Sequence, residues 1–511
     1  MKQVVIIGAG PAGLTAGLEL LRQQNSEYSV TVLEAENRVG GISATVRHNA
    51  NYMDLGGHRF FSKEEQVNRW WDGLLPLQGA PSYDDKKLSR ESQLSDGGPD
   101  PESADRVMLT RRRVSRIYYN HRFFDYPVTL KPETLKNLGF AHTMKAGFSY
   151  LGSMLHKREE SSLENFYINR FGRELYATFF EGYTEKLWGR HPRVISADWG
   201  AQRVKGISIT EVLKNALSKK QKSTESSLIE EFRYPKYGPG QLWETAAEEF
   251  TKLGGKIIFN AEVKKLNVQN GNITCVSTDT EDYPADIVIS SMPVKDLVGS
   301  IVGEAPPESV TKIAEGLPYR DFVTVGLLVD RLSIENRTNL KTLNNIVPDC
   351  WIYVQDKGVK LGRIQIFNNW SPYLVKDVES TVWLGLEYFC NEGDSFWNMT
   401  DEDCTAYAVK ELKEIGVISD GTKLLDSHRE RVKKAYPAYF DSYKDLPIVI
   451  QYLNSIDNLY CVGRNGQHRY NNMDHSMMTS FLAVKCIVEG SDDKSAIWSV
   501  NTDKEYHEEK S

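Results

Sequence analysis

Gly8-Ala9-Gly10-Pro11-Ala12-Gly13 carries the clearest chemistry in the chain. Its glycines stand between a short β-rich run, Gln3–Ile7, and a helical pattern over 11–23 that puts Leu14, Leu18 and Leu21 on one face. Each glycine has its own physical use. Gly8 permits a tight turn, Gly10 lets the backbone approach a pyrophosphate, and Gly13 lets helix and strand pack closely. The helix then turns its unpaired N–H groups and the positive end of its dipole towards the phosphates. A second β-rich run, Ser29–Leu33, ends at Glu34. A carboxylate there accepts hydrogen bonds from a ribose diol, so the β-α-β unit reads as a dinucleotide site.

The next residues extend that site. Glu34-Ala35-Glu36-Asn37-Arg38-Val39-Gly40-Gly41 is similar to a run in FAD enzymes, and that similarity implies a second glycine turn, ending at Gly41, and an Arg38 guanidinium towards the diphosphate. This run resembles the extension of FAD enzymes in the amine-oxidase and glutathione-reductase-like superfamily, which implies FAD as cofactor. Ala261-Glu262-Val263 is similar to the segment that meets the adenine side in those enzymes, which implies a contact from Val263.

Composition bounds the scaffold behind these residues. The chain has 511 residues, 40% hydrophobic and 26% charged. That balance excludes collagen, coiled coil and whole-chain disorder, and the length suggests about three domains. A net charge of −7 argues against nucleic-acid binding. No apolar run reaches the ~18 residues of a membrane span, and no signal-peptide core is visible. Six cysteines without a CxxC pair predict reduced, mostly buried thiols, no metal site and a cytoplasmic location.

The expected fold class is α/β: a discontinuous Rossmann-type FAD-binding domain with an inserted helical domain and an antiparallel β-sheet domain. The FAD-binding parts are 1–78, 231–300 and 441–495. Residues 79–105, rich in Ser, Asp, Pro and Gly, are expected as a mobile insertion, and 106–130 as a sheet segment. The helical domain is 131–230, with an exposed polar loop at Ser218–Ser223. Residues 301–440 alternate as an antiparallel sheet does, and 496–511 form a frayed tail.

Further motifs narrow the resemblance. Asp54-Leu55-Gly56-Gly57-His58-Arg59-Phe60-Phe61-Ser62 looks like the glycine-histidine loop of UDP-galactopyranose mutases. Gly182-Tyr183-Thr184-Glu185-Lys186-Leu187-Trp188-Gly189 is similar to their helical-domain motif. The run from Gly362-Arg363 through Asn369 to Pro372 resembles the strand and turn that carry a diphosphate-binding arginine. Tyr436-Pro437 matches a substrate tyrosine segment, and Gly463-Arg464-x5-Tyr470-x2-Met473-Asp474 resembles the C-terminal flavin and substrate motif. The matches follow family order from residue 3 to about 488.

The resemblance implies an isomerase that interconverts pyranose and furanose forms of a nucleotide-activated sugar, UDP-galactopyranose to UDP-galactofuranose in the family. That reaction needs reduced FAD and runs through a flavin N5–sugar adduct without net redox change. It implies a catalytic set of His58, Arg363 and Arg464. Arg363 clamps the diphosphate, Tyr436 and Tyr470 donate phenolic hydrogen bonds to it, and Trp188 and Asn369 line the substrate side. Arg464 sits near flavin and substrate, and His58 lies against the flavin ring. Gly463, Met473 and Asp474 hold the flavin, Asp474 as the cap of a helix beginning near Ser476. The Gly238-Pro239-Gly240 turn suits a backbone passing close to flavin phosphate or ribose. Implied partners are the nucleotide sugar and an external reductant such as NAD(P)H or a flavin reductase; an oligomer stays open.

The pattern breaks at one place. Where bacterial members carry a diphosphate arginine this chain has Glu185, and where fungal members carry one it has Glu181. Lys186, Arg190, Arg203 and Lys205 are the candidates to substitute. A carboxylate beside a diphosphate repels it, so the resemblance leaves the sugar open. Two other readings therefore stand beside the mutase: an FAD-dependent oxidoreductase of the amine-oxidase or protoporphyrinogen-oxidase type, and a flavoprotein that binds a nucleotide sugar without turnover.

Overall fold

The computed structural model describes residues 1–23, 27–126, 132–197, 200 and 231–501. The expected loop at Ser218–Ser223, Arg203, Lys205 and residues 502–511 lie outside the described residues.

The amino-terminal unit folds as expected. Strand β1 (Lys2–Ile7), helix α1 (Pro11–Leu21) and strand β2 (Tyr28–Leu33) form a β-α-β unit, with Val4 opposite Val30 in parallel register. Proline at the start of α1 fits because the first helical residue has no intrahelical use for its N–H. The five-stranded parallel sheet runs in the order Leu459–Cys461, Ile287–Ser290, β1, β2, Lys256–Ile258. Its strands come from three separated stretches, so the unit is discontinuous. Val4, Val5, Ile6 and Ile7 are all buried because both faces of the sheet are covered.

A seven-stranded sheet faces this unit. Its order is Leu424–Pro437, Tyr319–Val329, Val382–Cys390, Arg363–Ile366, Trp351–Val354, Ser115–Tyr119, Arg122–Asp125. All neighbours are antiparallel except Trp351–Val354 with Ser115–Tyr119. The helical block consists of Phe140–Leu155, Leu163–Tyr176 with a kink at Gly172, a π-turn at Ala177–Glu181, and Gly182–Trp188.

Residues 79–105, expected as a mobile insertion, carry a helix at Tyr83–Leu88. Gly79 N–H donates to Pro99 C=O and Ser95 N–H to Gln78 C=O. Asp84 is buried against Arg111, with Nη2 to Oδ2 2.7 Å. Its polar residues thus find tertiary partners, which composition does not reveal. At the other end, Trp498 is buried in the short helix Ser495–Ser499, so the packed chain continues past 495.

Candidate active site

The glycine cradle forms at the C-terminal ends of β1 and β2. Gly8 has φ +99°, and Gly40 and Gly41 have φ +98° and +53°. These left-handed conformations favour glycine. A Cβ on Gly13 would lie 1.9 Å from the Gly8 carbonyl oxygen, so α1 sits against the turn as closely as backbone allows. A Cβ on Gly10 would meet nothing nearer than the Gly41 backbone at 3.9 Å. The two glycine turns are tied by the Gly40 N–H to the Ala9 C=O, 2.9 Å. Glu34 is buried, and its carboxylate accepts the N–H groups of Ala9 (2.7 Å) and Glu36 (2.9 Å). Burial raises its pKa, opposed by those two N–H groups. Ala261 N–H donates to the Glu34 C=O at 2.8 Å, which brings Val263 to the same edge. A cradle open at Gly10, with a buried carboxylate beside it, fits the pyrophosphate and ribose of a dinucleotide. Arg38, expected at the diphosphate, donates instead to Glu430 at 3.0 Å.

A second group assembles where the His58 loop meets the large sheet. The loop is pinned by the Thr324 hydroxyl to the Leu55 C=O, 2.8 Å. Gly57 is covered by the Trp351 ring, which a Cβ would strike at 1.9 Å. Arg363 lies over the same ring, its guanidinium carbon 5.0 Å from the centroid. The rings of Tyr353, Phe389, Tyr183 and Tyr436 surround the same cation at 4.9–5.9 Å. Arg363 Nε donates to the Tyr183 hydroxyl at 2.5 Å. Nη1 donates to Glu387 and to the Tyr436 hydroxyl, each at 3.0 Å. Nη2 makes no hydrogen bond to a described residue. Glu387 is wholly buried and also accepts from Gln365 Nε2 (3.1 Å) and the Gly57 N–H. One carboxylate therefore binds the arginine and the histidine loop together. Burial pushes the Tyr183 and Tyr436 phenols upward, so both stay protonated.

Tyr436 stacks on Tyr470 with centroids 5.7 Å apart, and the Arg464 guanidinium lies 4.5 Å over the Tyr470 ring. Arg464 is fixed by the carbonyls of Asn471 (2.8 Å) and Ala435 (3.0 Å). Its charge reaches His58, whose pKa is pushed down to about 4, mainly by burial and then by that guanidinium. The imidazole is neutral at physiological pH, and its buried Nδ1 has no hydrogen-bond partner among the described residues. The turn carrying Arg464 packs on the cradle: a Cβ on Gly463 would lie 2.9 Å from the Ala12 Cβ. His58, Arg363, Tyr436, Tyr470 and Arg464 thus form one cluster of two guanidiniums, two phenols and a neutral imidazole.

The remaining candidates take the following places. Asn369 donates to the carbonyls of Val347 (2.9 Å) and Asp349 (2.8 Å) and braces a turn. Trp188 is buried edge-on to Tyr436 and Phe440, at the wall of the cluster. The C-terminal helix starts at Met473 and its cap is Asn472, in a capping box with His475. Asp474 lies in the first turn and accepts its neighbour's N–H at 2.9 Å. The Gly238–Gly240 turn makes its closest approach to Thr45, whose hydroxyl accepts the Gly240 N–H at 3.0 Å.

The two acids that break the motif leave the arginine alone. Tyr183 points to Arg363, and Glu181 and Glu185 lie two residues to either side, on the opposite helix face. Glu185 is exposed, and Glu181 lies 3.3 Å from His191 Nε2. His191 Nδ1 accepts the Arg193 N–H, which leaves the proton on Nε2 for Glu181. Lys186, a candidate substitute, gives its ammonium to the carbonyls of Val354, Asp356 and Leu361, and burial lowers its pKa to about 8. Arg190 pairs with Asp441 at 3.1 Å.

Tyr183, Glu387, Trp351, Tyr353 and Phe389 went unassigned in the sequence. Glu387 had a signal: it is the single charge in the apolar strand Val382–Cys390. The aromatic residues had none, because rings are common in any core.

Comparisons with known proteins bear on the fold and the family. A solved, reduced UDP-galactopyranose mutase superposes on 97% of this chain and 96% of its own, with TM-score 0.76 and 19% identity. A wild-type putrescine oxidase bound to putrescine superposes on 96% of this chain and 99% of its own, with TM-score 0.56 and 14% identity. At such identities the likeness is one of fold. An L-amino-acid oxidase from Crotalus adamanteus is 33% identical over 127 residues, 25% of this chain and 21% of that one. Matched stretches span between 3% and 21% of the curated relatives' own lengths. The family model for flavin containing amine oxidoreductases matches residues 11–444. With that match over most of its length, and a cradle shaped for the cofactor, the chain belongs to the flavin containing amine oxidoreductase family.

Proposed function

We propose that the protein is a flavin-dependent isomerase of a nucleotide-activated sugar, with UDP-galactopyranose and UDP-galactofuranose as its substrate pair. One observation carries this reading: Arg363, Tyr436, Tyr470 and Arg464 converge beside the cradle. Two guanidiniums and two phenols are the donor set that a diphosphate accepts from. Arg363 offers Nη2 while Tyr183, Tyr436 and Glu387 fix its plane. His58 stays neutral and adds no charge beside Arg464. The surrounding rings exclude water from the reacting sugar. A bound FAD, reduced by an external donor, would supply the nucleophile for the anomeric carbon.

A second reading has its own support. Glu387 cancels the Arg363 charge inside a wall of aromatic rings, a setting that suits a less highly charged substrate, and the relatives include amino-acid oxidases. On that reading the enzyme oxidises an amine or amino acid.

The deciding experiment uses anaerobic, dithionite-reduced protein mixed with UDP-galactofuranose, with oxidised protein as control. Appearance of UDP-galactopyranose only in the reduced sample supports the isomerase. No conversion by a flavin-loaded protein, together with peroxide formation from an amine or amino acid in air, replaces it with the oxidase.

A further inference from the structure

The helix Phe140–Leu155 has two unlike faces. Its inner face is small and polar. Ala146 and Ser153 are buried, and the Ser149 hydroxyl accepts the Glu174 N–H at 3.1 Å. The backbone passes so near Gly172 that a Cβ there would lie 2.8 Å from the Tyr150 nitrogen. The outer face is apolar and is left uncovered by the described residues. Phe140 is 84% exposed, Phe148 68%, Leu151 56% and Leu155 81%, with Met144 and Met154 also exposed. The spacing 140, 144, 148, 151, 155 is one helical stripe. Of the 16 exposed large hydrophobic side chains among the described residues, six belong to this helix; the other ten are scattered.

Charge says what covers such a face. Residues 136–158 contain no Asp or Glu, in a chain with 69 of them and a net charge of −7. They do contain Lys136, Lys145, Lys157 and Arg158, all exposed. We propose that this face docks on an anionic phospholipid surface, with the helix lying in the plane of the headgroups. Exposed phenylalanine and leucine would enter the acyl boundary while lysines and arginine meet lipid phosphates. At 16 residues and with Lys145 within it, the helix lies on a bilayer and does not cross one. A second copy is a poorer occupant. Across a two-fold axis the helix, which carries no Asp or Glu, would offer no carboxylate to the partner's Lys145; Glu159 and Glu160 lie beyond its end, with Glu160 held by Arg170 at 2.6 Å. The proposal is independent of which reaction the active site performs.

The test is co-sedimentation of the full-length flavoprotein with phosphatidylcholine vesicles and with vesicles containing phosphatidylglycerol. The expected result is binding to the anionic vesicles, weakened by salt and absent with phosphatidylcholine alone. Phe148→Glu/Leu151→Glu should lose binding on the order of tenfold or more, and Lys145→Glu/Lys157→Glu about tenfold. Both sites are exposed, so flavin absorbance and melting temperature should not change; these confirm folding. Equal binding to neutral vesicles, no binding at all, or binding that survives Phe148→Glu/Leu151→Glu overturns the proposal. So does a dimer seen by light scattering that dissociates in that variant while vesicles are ignored.

Discussion

Replacing Glu387 by Gln tests how the anion-binding group is balanced. The substitution keeps shape and removes one charge. Glu387 is wholly buried and Arg363 is 5% exposed, 3.0 Å away. Outright loss of one partner from such a pair costs about 3–5 kcal/mol. Glutamine keeps a hydrogen bond to Arg363, so the loss is nearer the gap between charged and neutral hydrogen bonds, about 1–2 kcal/mol. Its amide must also face a donor, because Arg363 Nη1, Gln365 Nε2 and the Gly57 N–H all donate to Glu387. Gln365 can absorb this by flipping, since its Oε1 is buried with no partner among the described residues. The expected loss is therefore about 2 kcal/mol, or roughly 2 °C in melting temperature for a chain of this length. Arg363 then carries an uncompensated charge, so UDP affinity should rise about tenfold while stability falls. Thermal melting with and without UDP, and a UDP titration, read both quantities. Unchanged stability would show that the pair contributes nothing. A UDP affinity that stays level or falls would sink the assignment of Arg363 to a phosphate.

Four other outcomes follow. Gly10→Val should purify folded but without flavin, since a Cβ at Gly10 clears its neighbours; a yellow protein would refute the cradle, as read by absorbance. His58 titrates near 4 when folded against 6.5 ordinarily. Its contribution, about 2–3 kcal/mol, should be full above pH 6.5 and be lost as pH falls through 4, and His58→Phe should flatten that limb of a denaturation series. Asp54 has the opposite sign: burial raises its carboxyl from 3.8 to about 7, so its contribution is full below pH 3.8 and lost as pH rises through 7. Asp54→Asn should thus be more stable than the parent at pH 8 by about 3 kcal/mol, keep about 1 kcal/mol of that advantage at pH 5 and lose it below pH 3.8, measured by melting. Asn369→Ala should cost about 2 kcal/mol for two backbone hydrogen bonds and leave UDP affinity unchanged, which a titration checks.

The helical motif shows where local pattern stops. Glu181 and Glu185 read as repulsive to a diphosphate because linear spacing does not say which helix face meets the substrate. The structure turns them away from Tyr183 and Arg363. Arg38 shows the same limit: its partner Glu430 is 392 positions distant. Asp474 is a smaller case. Its type suits a cap, but Asn472 closes the capping box, and only backbone conformation distinguishes the two.

What the sequence determined by itself is the cradle: β1, α1, β2, Gly8, Gly10, Gly13 and Glu34 lie within one short β-α-β unit, where backbone stereochemistry and period suffice. The loop glycines and tyrosines of the second group were legible as segments of a family resemblance. That they meet was decided only by tertiary structure. Arg363, Tyr436, Tyr183 and Glu387 come from three strands and a helix, joined by sheet register and burial. A charge buried against another gains its meaning from low dielectric and hydrogen-bond geometry, and neither is a property of either residue alone.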